Sequence, residues 1–243
     1  MSVLENNSSD EDRGRVLEPL TDPRAEVRRS LGILFDDGSV VEMRAFGPSG
    51  DILSGYYDDH DILARKAWQL DRCGYQVYVT LNEIGPAFSE RVLNETVGKV
   101  ESTTADRDIV RRRWLLVDVD PVRPSGVSST NEEKREAYLR SKAVRDYLRG
   151  LSWPEPVIAN SGGGFHLLYP IDLPNDEKSR ELVKGFLRAL AYKFDDDQVK
   201  IDVSVHNASR LIRLYGTRNA KGANTPERPH RRSRILKVPD EVA

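Results

Sequence analysis

A single cysteine, Cys73, stands among 243 residues. A lone thiol excludes an internal disulfide and any cysteine-rich zinc site. Cys73 follows an amphipathic helical pattern, so a small buried side chain is expected there. There is no long apolar run and no leader pattern, which excludes a membrane partner and predicts a cytoplasmic protein. No Gly-Lys-Ser/Thr follows the glycine-rich stretch Ser161-Gly-Gly-Gly164, which argues against an ordinary P-loop ATPase. At 38% hydrophobic and 31% charged residues, the chain has the balance of a soluble globular protein with one large domain or two small fused ones.

Charge is distributed unevenly. Between Asn207 and Lys237 nine Lys/Arg residues face one acid, Glu227, an excess of eight positive charges in a chain of formal net charge −2. Such a block suits a polyphosphate or nucleic-acid surface. After Pro226 a solvated basic tail would read the same way.

The stretch Arg111-Arg-Arg-Trp-Leu-Leu-Val-Asp-Val-Asp-Pro121 reads as a buried strand that ends in two carboxylates. Alternation puts Leu115, Val117 and Val119 on one face and Trp114, Leu116, Asp118 and Asp120 on the other. Pro121 cannot donate to a ladder and ends it. Two carboxylates so close repel and call for a cation; a divalent metal is the simplest, although a solvated strand end gives the same pattern.

Around this strand the pattern predicts an α+β protein. Residues 1–22 read as a disordered polar tail and residues 23–110 as an N-terminal αβ module. That module has strands over Val40–Phe46, Ile52–Tyr57 and Gln76–Leu81, a helix over Ile62–Cys73 capped by Asp59, and a short helix near Phe88–Val97. Asn82, at a strand end, suits either a site or a turn. Residues 111–225 read as βαββαβ, the ferredoxin-like unit also used by RNA-recognition domains. Its helices are capped by Asn131 and Asn175, the second carrying Leu182, Phe186 and Leu190 on one stripe. Its last strand runs Leu211–Tyr215. Residues 226–243 form a basic C-terminal segment. In that topology the first and third strands are central antiparallel neighbours, so Asp118 and Asp120 meet His166, which begins the third strand, on the open sheet face.

Further residues join this set. Alternation over Val199–Val205 turns Asp202 away from the core, where a third carboxylate completes a cage for two metals roughly 4 Å apart, the arrangement that clamps both oxygens of an in-line phosphoryl displacement. Ser161 to Gly164 lets backbone N–H groups approach an anion, although a hairpin turn also wants glycine. His166 can donate to phosphate. Arg210 and Arg213 interrupt an apolar run, with Arg218 and Lys221 beyond, and guanidinium forks bind phosphate oxygens. Arg111, Arg112 and Arg113 either touch a nucleic-acid backbone or are solvated.

These residues resemble the archaeo-eukaryotic primase superfamily, in particular the primase-polymerase catalytic domains of phages, plasmids and integrative elements. The three motifs are DxD in Val117-Asp-Val-Asp120, a small residue and histidine in Gly164-Phe-His166, and a hydrophobic residue with aspartate in Ile201-Asp202. The strings Arg112 to Pro121 and Ser209 to Thr217 are similar too, and the resemblance spans about Val40 to Gly222. It implies an N-terminal αβ module packed on an RRM-like catalytic module with the site between them. It also implies Mg²⁺ or Mn²⁺ on Asp118, Asp120 and Asp202, and a nucleotide triphosphate held by His166, Arg210, Arg213 and, more loosely, Lys221. Gly164 departs from the serine of many members, so a hydroxyl contact is missing or comes from Ser161. Many relatives continue into a helicase, a candidate partner; this chain has no Walker motif.

The expected activity is metal-dependent nucleotidyl transfer to a primer or first nucleotide on a DNA template, from an NTP or dNTP. A non-catalytic nucleic-acid-binding domain and a metal-dependent nuclease are the alternatives.

Overall fold

The computed structural model describes residues 14–85, 88, 94–98 and 102–240. The first half runs β1 (Arg15–Val16), α1 (Pro23–Leu34), β2 (Val41–Phe46), β3 (Ile52–Tyr57), α2 (His60–Arg72), β4 (Gln76–Thr80), β5 (Glu83–Ile84) and β6 (Val97–Gly98). The second runs β7 (Ile109–Pro121), α3 (Asn131–Gly150), β8 (Val157–Asn160), β9 (Phe165–Pro174), α4 (Glu177–Phe194), β10 (Val199–Ile201), β11 (Leu211–Arg213), β12 (Arg218–Asn219), β13 (Arg231–Arg232) and β14 (Arg234–Val238). The chain is a mixed α+β protein.

Local chemistry explains the helix starts. Asp22 caps α1 ahead of Pro23, whose fixed φ suits the first helical position. Asp59 accepts from Asp61 N and Ile62 N at the start of α2, and Gly74, at φ +87°, follows its end. The other two caps sit one residue from the expected ones. Thr130, not Asn131, forms a reciprocal box with Glu133, and Asp176, not Asn175, accepts from Ser179 N. The buried stripe of α4 is Val183, Leu187 and Leu190, while Leu182 is 61% exposed. Cys73 is exposed, not buried, because it caps the end of α2.

Two sheets carry the fold. The larger has the order β1-β14-β8-β9-β7-β10 with β5 beside β7, and the smaller has β11-β4-β2-β3-β6. Helices α3 and α4 pack on the larger sheet, and α2 packs on the smaller sheet and on α1, which also touches β14 of the larger sheet. One apolar cluster runs from Val27 and Leu31 through Val117 and Leu167 to Ile235, so the two sheets share a core.

Three segments depart from the expected organisation. Leu211–Arg213 pairs with β4 in the smaller sheet, while the edge position beside β7 is taken by β10. The chain after Pro226 is not a solvated tail: β14 pairs with β8 and Lys237 is buried. Arg15–Val16, within the expected tail, pairs with β14; residues 1–13 lie outside the described residues. The helix expected near Phe88–Val97 falls largely outside them as well, and Val97 is in β6.

Candidate active site

The long central strand β7 delivers the two aspartates, and β9 delivers the histidine. Asp118 lies directly opposite His166 in the antiparallel ladder, a position that brings side chains of the same face within about 5 Å. His166 Nε2 is 3.4 Å from Asp118 Oδ1. Leu116, Asp118 and Asp120 line one pocket, as alternation requires, while Leu115, Val117 and Val119 are buried in the core. The opposite wall comes from the smaller sheet: Tyr78 of β4 and Arg210 to Arg213 at β11. Ser161, Asn219, Lys221 and Arg123 complete it.

The glycine turn is built around the acids. A Cβ on Gly164 would stand 2.3 Å from Asp120 Oδ1 and 2.3 Å from Val119 O. Glycine lets β9 start this close to the end of β7. Ser161 Oγ accepts from Gly164 N at 2.9 Å, and Ser161 is itself in the pocket wall. Gly162, at φ +91°, would place a Cβ 2.5 Å from the Cβ of Asn219.

Electrostatics drive the two carboxyls apart. Burial raises Asp118, but His166 above all, then Lys221 and Arg210, outweigh it and hold Asp118 below the ordinary carboxylate range. Burial, followed by the charge of Asp118, pushes Asp120 above that range, with Arg123 and Lys221 opposing. Arg123 Nη2 is 3.5 Å from Asp120 Oδ2. Buried Asp118 Oδ1 has His166 Nε2, at a long 3.4 Å, as its one nearby donor among the described residues and no well-formed hydrogen bond, and the buried Nε of Arg210 donates none. A carboxylate oxygen left unsatisfied beside a second carboxylate is the donor set a hard divalent cation takes, so the pair fits one Mg²⁺ or Mn²⁺. The cavity measures about 150 Å³, below the ~300–1,000 Å³ of a drug-sized ligand site. It suits an anionic group with its cation, leaving the rest of a larger ligand outside.

Asp202 does not join them. Its backbone N–H donates to Asp118 O at 2.9 Å. Its carboxylate, however, turns to accept from Ser204 N at 2.8 Å, capping a single 3₁₀ turn. It is absent from the pocket wall, and among the described residues no three His, Cys, Asp or Glu side chains group to hold a metal. The expected three-carboxylate, two-ion cage is therefore not assembled. The strand ends one residue before Asp202, so the alternation that aimed it at the open face no longer applies.

The cations sort into two kinds. Arg210 and Lys221 face the pocket; Arg210 donates to Ser204 O, and the Lys221 ammonium has no ion pair among the described residues. Arg213 lines the floor but is committed. It stacks on Tyr78, donates to Tyr78 Oη, Gln76 Oε1 and Arg218 O, and is only 4% exposed. Arg218 is tied to Asp71 rather than free for nucleic acid. Arg112 is buried and donates to His206 O; Arg111 pairs with Asp172, and Arg113 with Glu83 and Asp172. None of these three lines the pocket. Asn82 is structural: its Oδ1 accepts from Arg113 N and Trp114 N at the bulge of β7, and its Nδ2 donates to Ala208 O.

Arg123, Asn219, Tyr78 and Tyr215 were not singled out by sequence. Arg123 had a signal, three residues after Asp120. Tyr215 did not, because it is fully buried and reads as core, yet its hydroxyl lies 2.6 Å from His166 Nδ1. No family model matches the chain, and no curated protein matches it.

Proposed function

We propose that the chain is a divalent-metal-dependent nucleotidyltransferase of the primase-polymerase kind, adding a nucleotide to a primer or first nucleotide on a DNA template. The observation that carries this reading is the pairing of Asp118 and Asp120 with His166 across β7 and β9, facing Arg210 and Lys221 in one pocket. It joins an acid pole fit for a cation to a cationic pole fit for phosphate. The order β8-β9-β7-β10, all antiparallel, with α3 and α4 on the sheet supports a ferredoxin-like catalytic unit. Asp202 lends no support.

Asp118 and Asp120 would hold a cation, which when bound supplies Lewis-acid activation of the attacking hydroxyl and charge neutralisation at phosphate. Arg210, Lys221 and the His166 N–H would hold the triphosphate oxygens, so that the chain contributes placement and charge stabilisation. Primer extension with Mg²⁺ or Mn²⁺ tests the proposal. Incorporation that disappears in Asp118→Ala and Asp120→Ala is the expected result; full activity in both variants sinks it. Release of nucleotides from DNA in place of pyrophosphate from dNTPs would identify a nuclease. Nucleic-acid binding that is indifferent to divalent ions, without turnover, would identify a binding domain.

A further inference from the structure

We infer that Tyr215 is a positioning residue that fixes His166 with its Nδ1 as acceptor and its Nε2 as donor, so that the site meets an anionic oxygen with an imidazole N–H. Only the identity of that oxygen, a nucleotide phosphate, rests on the function proposed above. The argument is one of hydrogen-bond satisfaction. The Tyr215 side chain is fully buried, and its hydroxyl has one partner among the described residues, His166 Nδ1 at 2.6 Å. A phenol carries one proton. If Nδ1 donated to the phenol oxygen, that proton would be buried without an acceptor, at a cost of about 1–3 kcal/mol. The reverse direction satisfies both groups. Nδ1 then accepts, and the remaining ring proton sits on Nε2, the nitrogen that faces Asp118 and the pocket.

The consequence is chemical. An Nε2 that carries its proton has no lone pair for a metal, so the histidine is not a ligand of the cation beside it. It is an oxyanion donor, working alongside Arg210 and Lys221. The two rings also meet edge to face, with centroids 5.8 Å apart, which holds the imidazole plane. Tyr215 sits just before Gly216, whose backbone N–H donates to Ser233 O. The phenol is thus anchored by the turn after β11, and the histidine by the start of β9.

The test is a long-range ¹H–¹⁵N spectrum of the full chain with ¹⁵N-labelled imidazoles. Four histidines give four spin systems, and His166→Gln identifies the one to follow. Nδ1 in the pyridine-type range and Nε2 in the pyrrole-type range is the expected pattern. Inorganic triphosphate with Mg²⁺ should shift the Nε2 resonance while leaving it protonated. In Tyr215→Phe, which keeps the ring, the two nitrogens should move toward a mixture of tautomers. Nucleotide KM should rise roughly tenfold with kcat little changed, and no further rise should follow in the His166→Gln background. A pyrrole-type Nδ1 in the unmodified chain overturns the inference, as does a Tyr215→Phe variant with unchanged shifts and KM. A pyridine-type Nδ1 in a chain that incorporates no nucleotide sustains the tautomer and defeats the nucleotidyl-transfer reading instead.

Discussion

The two ends of β7 carry similar densities of charge and do different things with it. At its start Arg111 and Arg113 are spent on Asp172 and Glu83, and Arg112 donates from Nη1 to the carbonyl of His206 while its buried Nε stays without a partner. At its finish, about 23 Å away along an extended strand, Asp118 keeps an unsatisfied buried oxygen and Asp120 is held against its tendency to ionise. The larger cavity lies at the arginine end, about 850 Å³, with Asp36, Glu83 and Asp172 in its wall. The smaller lies at the aspartate end. Cavity size and uncompensated carboxylate charge therefore single out opposite ends of β7, and the proposed function rests on the second. A folded chain neutralises its charges unless a ligand is to do so.

Breaking the aspartate end should give the largest effect. Asp118→Asn should lower nucleotide incorporation by at least about a hundredfold with the fold intact, measured by primer extension and circular dichroism. Gly164→Ala comes next. Its methyl would enter the space of Asp120 Oδ1 and Val119 O, destabilising the chain by about 1–3 kcal/mol in urea unfolding and displacing Asp120. Asn82→Ala should cost a similar 1–3 kcal/mol by leaving the Arg113 and Trp114 N–H groups unpaired. It should not change affinity for Mn²⁺ measured by calorimetry, because Asn82 serves the other end of β7.

Lys134 sharpens the comparison through pH. Burial first, then Arg231 and Arg123, lowers its ammonium to about 8. Between there and the unfolded value near 10.4 the unfolded chain binds more protons, so this residue makes stability rise with pH. Below that window the charged form carries its full penalty, on the order of 3 kcal/mol. Lys134→Met should thus gain most over the native chain below pH 8, and the gain should shrink toward pH 10, followed by urea unfolding across that range. The smallest effect belongs to Arg111→Ala. Its partner Asp172 is exposed, so stability should hardly move. The salt dependence of DNA binding should keep its slope, whereas loss of one phosphate contact would reduce that slope by about 1.

Much of the framework was legible because it rests on short-range rules. The β2–β3 hairpin, the Asp59 cap and the β7 alternation follow from period, capping and turn chemistry within a few residues. The misread parts involve choices between near-equal local options. Asn131 and Thr130 can both cap, and Thr130 wins because Glu133 answers it. Leu182 and Val183 are both apolar, and the angle at which α4 meets the sheet buries Val183. The basic block after Asn207 looked like one surface. In the fold, Arg228 goes to Glu133, and Arg218 and Arg232 to Asp71, so few of its charges remain for a ligand.

Residue order alone decides that Asp118 and Asp120 share a face and that His166 opens a strand after a glycine turn, because a strand's side-chain period is two wherever it lies. Which strand becomes the neighbour of which is a long-range matter. Only the packed molecule moves Leu211–Arg213 into the smaller sheet, turns Asp202 onto its own 3₁₀ cap, and brings Tyr215 across 49 positions to the His166 ring. Those outcomes depend on competition among distant hydrogen-bond partners for the same buried groups, and no local pattern encodes that competition.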